Sequence, residues 1–157
     1  MSHRADTGRA IQAAAHVDHL LLLLLLTKLS LPHLSLQRQR TLDTFAKRIR
    51  LAHVGGLIDD ATNDDLKTIN DVRVVFARAE LPMRFSSAPV RIKARRFLGW
   101  KPGASARRLF DKAVDRAAVA IRARTNSLMY EPLQVYGDVG EPILKSGWSR
   151  STKGWHV

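Results

Sequence analysis

Apolar residues recur at helical spacing in several segments of the chain, and the first of these is rich in leucine. Asp6 and Thr7 can accept hydrogen bonds from free backbone N–H groups, so the pattern predicts a helix that begins after one of them. This helix should continue to about Leu29. Pro32 cannot lie inside a helix without breaking a backbone hydrogen bond, which predicts a connection over residues 30–40.

Two amphipathic segments follow. The second helix is predicted to run from Leu42 to a glycine pair at residues 55–56, because glycine tolerates the left-handed conformation that ends helices. A third helix should be capped by Asp59 or Asp60 and end before Pro82. Its apolar stripe is predicted to be Leu66, Ile69, Val72, Phe76 and Ala79.

The second half of the chain predicts a short helix and a long one. The short helix follows Pro89 and should be ended by Lys101, Pro102 and Gly103. Its apolar side should comprise Val90, Ala94, Phe97 and Leu98. The long helix should begin at Ala104 or Ser105 and end near Arg124. Its inward positions are predicted to be Leu109, Phe110, Ala113, Val114, Ala117, Ala120 and Ile121.

These elements predict an all-α fold. Aromatic residues make up only 6% of the chain, which favours helices over sheet. Cysteine is absent, and this absence excludes zinc ribbons, cysteine nucleophiles and disulfide scaffolds. We expect a single bundle of four to five helices over residues 1–124. Scattered glycine and proline then predict an irregular C-terminal tail over residues 125–157.

Positive charge is concentrated in one part of the chain. Residues 84–124 contain twelve Lys and Arg residues but only Asp111 and Asp115 as acidic residues. A segment this basic attracts polyanions such as nucleic acid, although a basic helix face can also serve only to solvate the protein. Eight residues are the candidate phosphate contacts: Arg91, Lys93, Arg95, Arg96, Arg107, Arg108, Lys112 and Arg116.

The seven consecutive leucines at residues 20–26 raise the question of a membrane. A spanning helix needs roughly 20 apolar residues, and this run is flanked by Asp18 and Lys28. The pattern therefore favours a helix that is buried or faces a second subunit, so we expect a cytoplasmic homodimer and no membrane partner.

The central part of the chain resembles the mannitol operon repressor (MltR) family. The similarity lies in LDTFAKRIRLAHVGGLI at residues 42–58 and DDATNDDLKTINDVRVVFA at residues 59–77. The matching positions are Phe45, Lys47, Ile49, Leu51, Ala52, Gly56, Leu57, Ile58, Asp65, Leu66, Ile69, Arg73, Phe76 and Ala77. The resemblance implies a helical bundle, a role as a repressor-like regulator of transcription, and action through a protein partner or a sequence-tolerant nucleic-acid contact.

That family has an Arg…His element similar to the signature of the HEPN superfamily, whose nuclease members cut RNA. In this chain Arg73 occupies the arginine position, but Arg78 stands where the histidine would be. Arginine cannot act as a general base at any accessible pH, so the motif is degenerate and we expect no enzymatic activity. Arg73 also falls inside an apolar stripe, where its side chain would have to reach water past its neighbours.

Two alternatives stay open: an RNA-cleaving or antitoxin-related HEPN protein that uses Arg73 and Arg78, and a purely structural oligomeric adaptor. The histidines give the first alternative little support. His53, in the second helix, could approach Arg73 in a bundle, but we expect it to have a structural role. His16 and His19 lack neighbouring carboxylate or cysteine ligands, so we expect neither a metal nor a cofactor.

Overall fold

The computed structural model describes residues 3–29 and 42–130 and confirms the all-α fold. Five helices form a single bundle: α1 His3–Leu29, α2 Phe45–Val54, α3 Asp60–Ala77, α4 Ala88–Ala94 and α5 Ala106–Tyr130. The described part of the chain contains no β-strand. The predicted connection at 30–40 and the predicted tail from residue 131 onward lie outside the described residues.

Helix α3 is the centre of the bundle and packs against all four other helices. Its buried face carries the predicted stripe of Leu66, Ile69, Val72 and Phe76. The two longest helices, α1 and α5, pack against each other and run parallel. Asp6 lies beside Arg107 near their N-terminal ends, and His16 lies beside Arg122 further along both helices.

A phenylalanine cluster joins α3, α4 and α5. The ring of Phe85 lies 5.0 Å from that of Phe76 and 5.3 Å from that of Phe110, measured between ring centroids. Phe97 meets Phe110 edge to face at 6.2 Å. Phe110 is fully buried. Its ring contacts the segment before α4 through Phe85 and the segment after α4 through Phe97.

The leucine run packs mainly inside its own bundle. Leu21, Leu24 and Leu25 are buried, whereas Leu23 is 42% exposed. Within the described chain, Arg4–Lys28 is the one stretch of helix long and apolar enough to cross a membrane, a test that core helices and signal sequences also pass. Asp18, near the middle of this helix, forms an ion pair with Arg48 of the bundle.

Three predicted helix ends are wrong, and one of them is the end of α4, which lies at Ala94 and not next to Lys101. Among the described residues helix α1 already includes His3, so Asp6 lies inside the helix, and its carboxylate accepts a hydrogen bond from the backbone N–H of Phe85 at 3.3 Å. Helix α5 continues to Tyr130, six residues beyond the predicted end near Arg124. Residues 125–130 contain neither glycine nor proline, so nothing in their backbone chemistry stops the helix there.

Three predicted inward positions are also wrong. Leu98 is 72% exposed, because α4 ends at Ala94 and the following turn breaks the helical period. Ala120 is only half-buried, while Ala118 is buried because α5 packs on α1 as well as on α3. Ala79 is half-buried because α3 ends at Ala77, before the predicted stripe is complete.

The start of α3 confirms the predicted cap. Asp59 precedes the helix in an extended conformation, and its carboxylate accepts a hydrogen bond from the Thr62 backbone N–H at 2.8 Å. The side chain and the backbone N–H of Thr62 together hold the pKa of the Asp59 carboxyl below its usual value.

Replacing Asp59 with alanine should lower the free energy of unfolding by about 1 kcal/mol at pH 7. A carboxylate whose pKa is lowered by folding stabilises the folded state above its unfolded pKa, and this contribution is lost as the pH falls through the folded pKa. The difference between wild type and Asp59→Ala should therefore shrink below about pH 4, as urea unfolding would measure. Asp59→Asn keeps the cap without the charge, so its stability relative to alanine should not depend on pH. An equal loss of unfolding free energy in Asp59→Ala at pH 7 and below about pH 4 would contradict the role of the carboxylate.

Candidate nucleic-acid interface

The tertiary structure divides the eight candidate basic residues into two groups of four. The first group forms ion pairs that join helices. Lys93 and Arg96, in and just after α4, both reach Asp71 of α3, at 3.6 and 2.8 Å. These two ion pairs hold α4 and the turn after it against α3.

The other two ion-paired residues lie on α5. Arg116 makes two hydrogen bonds to the Asp65 carboxylate of α3, at 2.9 and 3.0 Å. Arg107 lies 3.6 Å from the Asp6 carboxylate of α1. The Asp65 and Asp6 side chains are only 11% and 13% exposed, so these carboxylates depend on their arginine partners for neutralisation.

The second group consists of Arg91, Arg95, Arg108 and Lys112, which we call the exposed basic surface. All four residues are exposed. In the part of the chain that the structure describes, no carboxylate forms a salt bridge with any of them. Arg91 lies on α4 and Arg95 follows it by one turn, just after the helix ends at Ala94, whereas Arg108 and Lys112 lie one turn apart on α5.

One of the two pairs, Arg91 and Arg95, lies at the corner where α4 leads into α5. A cavity of about 270 Å³ there is lined by Arg91 from α4, by Arg95 just after it, by Trp100 from the connection, and by Ala106, the first residue of α5. Arg108 follows Ala106 by two residues, a spacing that places the two side chains on different faces of α5. The recess is therefore lined by two of the four exposed cations, Arg91 and Arg95.

Trp100 is the residue of this corner that the sequence reasoning missed. Its side chain is 40% exposed, and the Arg95 guanidinium carbon lies 5.7 Å from the centre of its ring. The signal was available in the sequence, since an aromatic residue among closely spaced arginines and lysines is typical of surfaces that bind nucleic acid.

The degenerate motif on α3 does not form part of this corner. Arg73 is half-buried and donates a hydrogen bond to the Asn70 side-chain oxygen at 3.3 Å, while Arg78 caps the C-terminal end of α3. His53 Nε2 lies 2.7 Å from the Asp60 carboxylate, at the other end of the helix. Thirteen residues of helix correspond to about 20 Å, so His53 is held away from Arg73.

The histidines of α1 are also separate from the corner. His16 Nε2 lies 3.1 Å from the Arg122 guanidinium, and His19 is exposed. Among residues 3–29 and 42–130, no three His, Asp or Glu side chains come together as a metal site. A neighbouring guanidinium disfavours a second cation at His16.

The chemistry of the corner is that of ionic contact and stacking. Guanidinium and ammonium groups bind phosphate oxygens, and an indole ring stacks on other flat rings.

No family model, no curated protein and no solved structure matches this chain.

Proposed function

We propose that this protein is a non-catalytic regulator of gene expression that binds the phosphate backbone of nucleic acid through the exposed basic surface. One observation carries the proposal: Arg91, Arg95, Arg108 and Lys112 are exposed and form no salt bridge with a described carboxylate, whereas the other four candidates pair with Asp6, Asp65 and Asp71. The resemblance of residues 42–77 to the MltR family supports the regulatory part of the proposal.

The arrangement favours binding that tolerates many sequences. Long Lys and Arg side chains reach phosphate oxygens, which are the same in every nucleotide. Such contacts fix the position of the protein on the nucleic acid without distinguishing one base from another. Helix α4 has seven residues and measures about 10 Å, so it offers little length for reading a groove. The expected complex is therefore held mainly by charge and weakens as salt displaces the protein.

The proposal includes a homodimer. Helices α1 and α5 run parallel, and their C-terminal ends expose Leu23, Met129 and Tyr130, the last two at 63% and 85%. Apolar side chains at neighbouring helix ends support a contact between two copies. Light scattering establishes the oligomeric state of the sample used in the binding experiments.

Reversing charge on the exposed basic surface should weaken nucleic-acid binding and its dependence on salt. In the double variant Arg95→Glu with Arg108→Glu, two phosphate contacts are lost and two repulsive charges are added. The slope of log affinity against log salt should fall in magnitude by about 2, since each neutralised phosphate contributes roughly one. Fluorescence anisotropy with a labelled oligonucleotide at a series of salt concentrations measures both quantities.

The matched control is Arg50→Glu with Lys67→Glu, which changes the net charge by the same amount on the α2–α3 surface. This variant should bind much more like the wild type than the variant of the exposed basic surface does. Equal losses in the two variants would show that only net charge matters and would overturn the assignment to the exposed basic surface. Absence of binding to DNA and RNA at low salt would overturn direct contact and leave regulation through a protein partner.

A further inference from the structure

We infer that Trp100 is a stacking surface for an unpaired base, so that the ligand of the exposed basic surface is single-stranded nucleic acid rather than duplex. This inference rests on the proposed phosphate binding and adds to it the strandedness of the ligand. It assigns a specific role to a residue that the charge pattern alone does not single out.

Backbone contacts hold the turn that carries Trp100. The backbone N–H of Trp100 donates to the Phe97 carbonyl at 3.2 Å, and Phe97 itself is buried in the phenylalanine cluster. Gly99 and Gly103 on either side adopt φ angles of 82° and 84°, which residues with a Cβ rarely tolerate. A turn fixed by a buried anchor leaves the backbone of Trp100 little freedom to lose when a ligand stacks on its ring.

The surroundings of the ring suit a nucleotide. Arg95 lies over the indole, and Arg91 lines the same cavity, so cations that bind phosphate stand beside a flat aromatic surface. In a duplex each base is covered by its neighbours, whereas a single strand can turn a base outward onto an aromatic side chain. The combination of ring, recess and cations therefore favours the single strand.

An anionic membrane is the competing ligand for this corner. Ile92 and Leu98 are 58% and 72% exposed, and apolar residues with arginine can also dock on lipid. The Trp100 ring is less exposed than either residue and lies beside a recess under a guanidinium. Membrane anchors project their aromatic rings outward, so the recessed geometry favours a base over a bilayer.

The experiment compares a labelled single strand with a duplex of equal length, using Trp100→Leu and Trp100→Phe. Leucine keeps the apolar volume but removes the flat ring, and phenylalanine keeps a ring. Trp100→Leu should weaken single-strand binding about tenfold, while duplex binding changes less than about twofold. Trp100→Phe should retain most of the single-strand affinity. Thermal unfolding of both variants checks that the fold is intact.

A fluorescence measurement reports on the ring directly. The chain has three tryptophans, so Trp148→Phe with Trp155→Phe leaves Trp100 as the sole indole emitter. Stacking of a base on the ring should quench its emission when the single strand is added, and the duplex should quench it much less.

The outcomes separate this inference from the proposed function. Tighter binding of the single strand that depends on a ring at position 100, together with quenching, supports the inference. Equal binding of both forms and no effect of Trp100→Leu would overturn it while leaving phosphate binding intact. Absence of binding to either form at low salt would overturn both. Displacement of the single strand by phosphatidylglycerol vesicles at comparable charge concentration would assign the corner to lipid and also overturn it.

Discussion

Replacing Arg116 with alanine should lower the free energy of unfolding by about 2–4 kcal/mol. The reason lies in its partner: the Asp65 side chain is only 11% exposed and would lose both hydrogen bonds from the guanidinium. A carboxylate left buried without a partner is costly. Because the Arg116 side chain is itself 37% exposed, we expect less than the loss found for a fully buried pair. Urea unfolding followed by circular dichroism measures the change.

Arg108→Ala is the matched control on the same helix. Arg108 is exposed and forms no salt bridge with the described carboxylates, so its removal should change stability by less than about 0.5 kcal/mol. The same variant should weaken nucleic-acid binding, whereas Arg116→Ala should affect binding mainly through loss of folded protein. If both variants were equally stable, the division of the basic residues into two groups would be wrong.

Replacing Phe110 with alanine should have the largest effect on stability, about 3–5 kcal/mol. Phe110 is fully buried, and its ring contacts both Phe85 and Phe97. Removing it leaves a cavity where the segments before and after α4 meet α5. Since Phe97 anchors the turn that carries Trp100, we also expect the corner to become more mobile. Chemical denaturation measures the first effect, and hydrogen exchange of the α4 segment measures the second.

Val119→Ala serves as the control for Phe110→Ala. Val119 lies on α5 as well but is 67% exposed, so its truncation should cost less than about 0.5 kcal/mol. Faster exchange throughout the bundle in Phe110→Ala would indicate general destabilisation. Exchange that increases chiefly around α4 would support the specific link between the phenylalanine cluster and the corner.

The two kinds of basic residue affect how a mutational scan should be interpreted. Variants of Lys93, Arg96, Arg107 and Arg116 remove ion pairs that join helices, so lost binding in these variants can follow from lost structure. Only the four residues of the exposed basic surface test contact with a ligand. A scan that treats all eight alike would overestimate the extent of the binding surface.

Local patterns in the sequence were sufficient to predict the helices. The Asp59 cap, the end of α2 before the glycine pair at 55–56 and the apolar stripe of α3 were all predicted and are present. Each depends on interactions within a few residues, such as a side-chain oxygen near a free N–H or a repeat every three to four positions. The same reasoning failed at Leu98, because the period was extended through a turn that only packing reveals.

The tertiary structure decided which charges remain available. By itself, the sequence determined an all-α chain with a strongly basic segment at residues 84–124, because composition and periodicity are local properties. It could not tell Arg108 from Arg116, since their local contexts are alike and the difference is a carboxylate 51 residues away on α3. Pairing across helices depends on how the helices pack, and packing brings together residues that no local pattern connects.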